Sequence, residues 1–204
     1  MRTSHFFSLL WLATPLALGC ADQEAPLAPV SPLLGVQSGN PVVLSARGSG
    51  HIHDEVFGDG ELRTFSFTAL KHAGGTTTGN VQLKNRASGV TYRGSVFCLA
   101  PVENGIYVMA SEDERFGGTD VGGVLPGSGA GLWLVQDNGE GSNADPDRFS
   151  QIDFTLPSTA EALCQDLLGS LKAFFGLTDA QASAFVESFM LPIENGNISV
   201  TSKY

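Results

Sequence analysis

The sequence predicts a mainly β protein, an antiparallel β-sandwich or barrel with a C-terminal helical pair. Two observations carry this. From Asn40 onward the chain is a series of short runs alternating apolar with polar residues and separated by Gly, Asn and Asp, and period two marks half-buried strands. Between Ser158 and Met190 the apolar spacing changes to that of a helix.

In order along the chain, Phe65, Phe67 and Ala69 alternate with Thr64, Ser66 and Thr68, and Val81 and Leu83 with Gln82 and Lys84. Val90, Tyr92, Val96 and Cys98 are expected on one face, opposite Thr91, Arg93, Ser95 and Phe97. Ile106, Val108 and Ala110 follow, then Leu132 and Leu134 opposite Trp133 and Val135, then Ile152, Phe154 and Leu156. About seven or eight such runs at this spacing fit a sandwich or barrel. No internal repeat is visible.

Two helix starts are predicted, at Ser158 with Glu161 and at Thr178 with Gln181, where a hydroxyl and a carboxylate or amide satisfy the first turn's free amides. Leu163, Leu167, Leu171 and Phe174 share one helical face, and Ala182, Phe185, Val186 and Phe189 another. Gly176 separates the helices, Pro192 closes the second, and a last strand is expected over 197–202. The pair is read as a cap on an open end of the sheet core, held by Cys164; a lid or partner groove is the functional alternative.

The first residues have a different character. Arg2 precedes an uncharged segment from Phe6 to Leu18, with small residues at Ala17 and Gly19, the layout of a cleavable export signal over residues 1–19. The run is shorter than the about 20 apolar residues of a spanning helix and is followed by Asp22 and Glu24. Leu16-Ala17-Leu18-Gly19-Cys20 resembles the lipobox of bacterial lipoproteins. The resemblance implies that the Cys20 thiol takes a diacylglyceryl group and becomes the new N-terminus; an ordinary export signal with a chance cysteine is the plainer reading. Lipid contributes about 0.8 kcal/mol per buried methylene, so two or three chains hold a small domain on a membrane. Ala21 follows the cysteine where aspartate tends to retain lipoproteins in the inner membrane, so the same resemblance favours the outer membrane of a diderm cell envelope.

Three cysteines are an odd count for an exported chain. With Cys20 acylated, Cys98 and Cys164 remain, and an oxidising compartment allows them to join. The expectation is a Cys98–Cys164 disulfide, against two separate buried thiols.

Removing residues 1–19 takes out Arg2 and no acid, leaving 10 Lys or Arg against 21 Asp or Glu, a net charge of −11. That balance disfavours nucleic acid and anionic lipid surfaces as partners. Residues 20–40 carry Pro26, Pro29, Pro32, Gly35 and Gly39 without periodicity and read as a tether, reaching at most about 60 Å at about 3.1 Å per residue. Residues 41–204 then form one β domain with a helical insertion over about 158–191.

The runs Gly60-Glu61-Leu62-Arg63-Thr64-Phe65-Ser66-Phe67, Asp137-Asn138-Gly139-Glu140 and Asp147-Arg148-Phe149-Ser150 resemble a small β domain of bacterial secreted proteins and lipoproteins, from about Gly48 to Phe154. The resemblance implies a β fold and carries no activity; the stretch 165–190 departs from it.

Three places hold chemistry in principle. His51 and His53 lie on one face of a strand, beside Asp54 and Glu55, and are able to hold zinc or copper given a third ligand such as His72 or an Asp; the plain reading is a solvated strand end. The loop 137–147 offers Asp137, Glu140 and Asp145 as oxygen donors for calcium, but without the EF-hand spacing, and its Asn and Gly equally form turns. The stretch 111–131 holds Glu112, Asp113, Glu114 and Asp120 and seven glycines, but neither the helix nor the Lys of a phosphate loop. No Gly-x-Ser-x-Gly elbow occurs, and Ser49 beside His51 lacks the context of a triad. The expected function is a lipid-anchored cell-envelope protein acting as a non-catalytic binding or structural module toward an envelope protein or glycan. The alternative is a metal-dependent hydrolase using His51 and His53.

Overall fold

The computed structural model describes residues 40–53, 60–117, 129–140, 144–154 and 157–203, with side chains omitted for 113–117 and 152–154. The expected export signal, Cys20, Asp54, Glu55, much of the glycine-rich stretch and all of the expected tether but Asn40 therefore lie outside the described residues. Gly39–Tyr204 is one compact unit.

The unit is mainly β, with a C-terminal helical part. Seven strands follow one another up and down: β1 (Val42–His53), β2 (Leu62–His72), β3 (Thr77–Asn85), β4 (Thr91–Pro101), β5 (Ile106–Gly117), β6 (Ala130–Gln136) and β7 (Arg148–Phe154). Three helices come next, α1 (Pro157–Gln165), α2 (Leu167–Phe175) and α3 (Asp179–Ser188), then the short strands β8 (Leu191–Pro192) and β9 (Asn197–Ser202). Among the described residues all nine strands belong to one antiparallel sheet, ordered β8-β7-β6-β5-β4-β3-β2-β1-β9. Of the two expected architectures, then, it is the curled single sheet that forms, and not a pair of stacked sheets.

Local sequence explains the tight connections. Asn104 and Gly105 both take positive φ in the β4–β5 turn, the conformation that an Asn-Gly pair supplies at least cost. The Asn85 side chain accepts from the Ala87 and Ser88 amides to form the β3–β4 turn.

The curl has a packed interior. Phe65, Phe67, Tyr92, Trp133 and Phe149 converge there with Leu44, Ile52, Val81 and Leu99. The Phe65 and Phe149 rings stack at 3.9 Å, and Trp133 lies 5.9 Å from Phe149. The polar tips of the larger rings are satisfied internally: Trp133 Nε1–H donates to Ser111 Oγ at 2.8 Å, and the Tyr92 and Ser111 hydroxyls are 2.7 Å apart.

A second core lies on the outer face of β4–β6. Ile106, Val108, Ala110, Ala130, Leu132 and Leu134 meet Ala160, Cys164, Leu167, Val186 and Met190 of the helical segment. The helices therefore cover the side of the sheet, whereas the spacing suggested a cap on an open end. This is why β6 is buried on both faces; each fully buried Leu of that strand contributes roughly 1.5–3 kcal/mol.

Cys98 reaches this outer core through a β-bulge. Val96 pairs with Ser111 but Cys98 with Ala110, so Phe97 is one residue extra. Val96 stays inside, Phe97 and Cys98 both pack in the outer core, and Leu99 turns inward again. The expectation that Val96 and Cys98 share a face fails for this reason. The change of phase lets Cys98 of β4 join Cys164 of α1 in a disulfide, with 6.3 Å between the Cα atoms.

The helical segment also differs in detail. Thr178 and Gln181 form the expected capping box at α3. Gly176 ends α2 with φ +67, as expected of a residue separating two helices. The Ser158 box does not form, because α1 starts at Pro157, whose fixed φ and missing N–H suit a first helical position. A break at Asp166 turns the predicted pair into three helices: its carboxylate accepts from the Gly169 amide at 2.9 Å and caps α2.

Candidate functional site

The C-terminal segment decides where most of the predicted site residues lie. Leu191 and Pro192 pair with Phe149 and Arg148 at the edge of β7. Two residues later the chain has changed partner: Glu194 N–H donates to His51 O at 3.0 Å, and Asn195 O accepts from His51 N–H at 3.1 Å. From Asn197 to Ser202 it runs along β1. The two edges of the curled sheet are thus joined by one segment.

The acidic loop after β6 fastens this seam. Asp137 Oδ1 accepts from the Gly139 amide at 2.9 Å and Oδ2 from the Val200 amide at 2.8 Å. Asp147 Oδ1 accepts from Asn138 N–H at 2.8 Å, and Oδ2 from Ile198 N–H at 2.6 Å. Glu140 Oε1 accepts from Asn197 Nδ2 at 2.6 Å. Ile198 and Val200 lie on the outermost strand, so the Asp147 and Asp137 carboxylates occupy the place of a further strand's carbonyls. Backbone amides at an exposed sheet edge would otherwise be open for pairing with another chain.

Of the calcium donors read from the sequence, Asp137 and Glu140 are therefore directed at β9, and Asp145 is exposed in the same loop. Asp147, which that reading passed over, is the buried carboxylate of the group at 7% exposure. Its neighbours are structural too. Arg148 donates to the Glu187 and Met190 carbonyls at 2.9 and 2.8 Å, closing the end of α3, and Phe149 stacks on Phe65.

His51 and His53 do share one face of β1, opposite the interior Ile52. His53 Nδ1–H donates to Gly60 O at 2.9 Å, and Nε2 stands 3.5 Å from Glu194 Oε1. His72 is not near them. It pairs with Val42 while His51 pairs with Thr64, nine positions along β1, or about 30 Å at a strand's rise. His72 Nδ1–H donates to Asn40 O at 2.9 Å. Among the described residues no three His, Cys, Asp or Glu side chains are grouped to hold a metal ion. Gly48 and Gly50 beside Ser49 are explained by packing: a Cβ at Gly50 would lie 2.6 Å from Ile193 Cγ2, and one at Gly48 2.9 Å from Ile198 Cγ1.

Another surface feature escaped the sequence reading. Phe174 and Phe175, at the end of α2, are 82% and 54% exposed. Their rings meet edge to face at 4.8 Å, Phe175 lies 5.7 Å from Phe185, and Phe185 lies 4.7 Å from Phe189, so the exposed rings stand on a partly buried aromatic base. The helical face assigned to Leu167, Leu171 and Phe174 is buried at its start and bare at its end. Lys172 and Asp179 pair beside it at 2.6 Å, and this hydrogen bond raises the Lys172 pKa and lowers that of Asp179. The adjacent Phe-Phe at the helix end, followed by the C-cap Gly176, was the available signal.

No family model matches the chain, and neither a curated protein nor a solved structure is found similar to it.

Proposed function

We propose that this chain is a lipid-anchored protein of a bacterial cell envelope whose folded part is a non-catalytic binding or structural module. The observation that carries the reading is the Cys98–Cys164 disulfide. Disulfides persist in oxidising compartments, and this one takes up two of the three cysteines and leaves Cys20 as the odd thiol, in the lipobox-like run after Gly19. Acylation there accounts for the odd count, and the Pro-rich stretch up to Asn40 serves as the tether.

The folded part supports a module that recognises or organises. Its interior is filled by stacked aromatic rings, and the carboxylates of the acidic loop fasten β9. A partner would be met on the outside, as an envelope protein or glycan. The test is cell fractionation of the full chain expressed with its leader: the protein is expected in the membrane fraction and released by detergent. The Cys20→Ser variant is expected to lose that attachment. A wild-type chain recovered in the cytosol would contradict the reading.

A further inference from the structure

We propose that the tip formed by Phe174 and Phe175 inserts into the bilayer to which the chain is tethered, as a second, apolar membrane contact; this rests on the anchored reading above. Isolated surface apolar residues are ordinary, but here the exposed large hydrophobic side chains among the described residues are adjacent, on one turn. They are also held in place, by ring contacts that run from Phe174 through Phe175 and Phe185 to Phe189.

Size decides between occupants. A buried aromatic side chain covers about 150–250 Å², so two partly exposed rings offer on the order of 300 Å². A stable protein complex or dimer needs about 800 Å² per partner. The tip is too small to hold a free partner or a second copy alone. A tethered surface has a lower requirement, because a tether of about 60 Å keeps the bilayer at high effective concentration. Charge selects the lipid. Residues 173–178 carry no charged side chain, and Lys172 is paired with Asp179. The chain from Cys20 onward is strongly acidic. Insertion is therefore apolar, into a zwitterionic surface.

The test couples the chain from Cys20 to Tyr204 through the Cys20 thiol to a maleimide-headgroup lipid in phosphatidylcholine vesicles. Cys98 and Cys164 are bonded to each other and do not compete. The probe is Phe174→Trp, read against buried Trp133. On vesicles its emission is expected to shift to the blue and to be quenched by bromine-labelled lipid several-fold more than Trp133. The effect is expected to persist between about 0.1 and about 1 M salt, where the Debye length falls from about 10 to about 3 Å. Adding Phe175→Asp should abolish the shift while circular dichroism stays that of the folded domain. A solvent-like, unquenched probe on vesicles would overturn the proposal. So would a blue shift already present without vesicles, which would place the tether or a second copy on the tip. Because the coupling is chemical, this outcome is independent of whether cells acylate Cys20, which the mass of the native N-terminal peptide reads separately.

Discussion

The Asp147 carboxylate accepts the backbone N–H of Ile198 at 2.6 Å, across 51 residues of sequence, and its other oxygen accepts from Asn138. A loop carboxylate thereby does for the outermost strand what a neighbouring strand would do. Replacing Asp147 with Ala leaves two amides without their acceptors, one of them on the buried Ile198. The expected loss is about 3 kcal/mol, read as a lower urea midpoint with an unchanged slope. Asp147→Asn keeps an acceptor and should lose less.

The disulfide closes a separation of 66 residues between the inner meander and the helical layer. Opening it, by reductant or by replacing both Cys98 and Cys164 with Ser, should cost about 4 kcal/mol on the chain-entropy account. The measurement is the denaturation midpoint with and without reductant. An unchanged midpoint would show that the link adds nothing to what the outer core already supplies.

At Gly50, β1 comes close to the C-terminal segment. A side chain there meets Ile193, which packs in the interior with Phe65 and Phe149. Gly50→Val is expected to destabilise by about 1–3 kcal/mol through overpacking. Ser49→Ala, one position away on the exposed face, should be neutral within about 0.5 kcal/mol.

Metal ions test the two ligand sets read from the sequence. With His72 about 30 Å from His51, and with Asp137 and Glu140 bonded to β9, the melting temperature is expected to be the same in chelator, in zinc and in millimolar calcium. A clear rise in calcium would mean that the loop gathers its oxygens around an ion.

Much of the fold was legible because period two and period 3.6 are local signals. β9 over 197–202, the Thr178 capping box and the Gly176 break follow from neighbours in the chain. The Cys98–Cys164 pairing followed from counting. What stayed hidden depends on long-range partners. The bulge at Phe97 is set by the register with β5, so no run of alternating residues in β4 alone reveals it. The role of Asp147 needs Ile198 beside it, and the loop read alone offers only acids and turn formers. Phe174 looked like core from its helical face, but at the end of α2 that face is left exposed.

The most direct test of the account is the intact mass of the protein recovered from membranes of an exporting bacterial host. A chain starting at Cys20, carrying diacylglycerol and lacking the two hydrogens of a closed Cys98–Cys164 pair, is the predicted result. A mass retaining residues 1–19, with an unmodified Cys20, would contradict it.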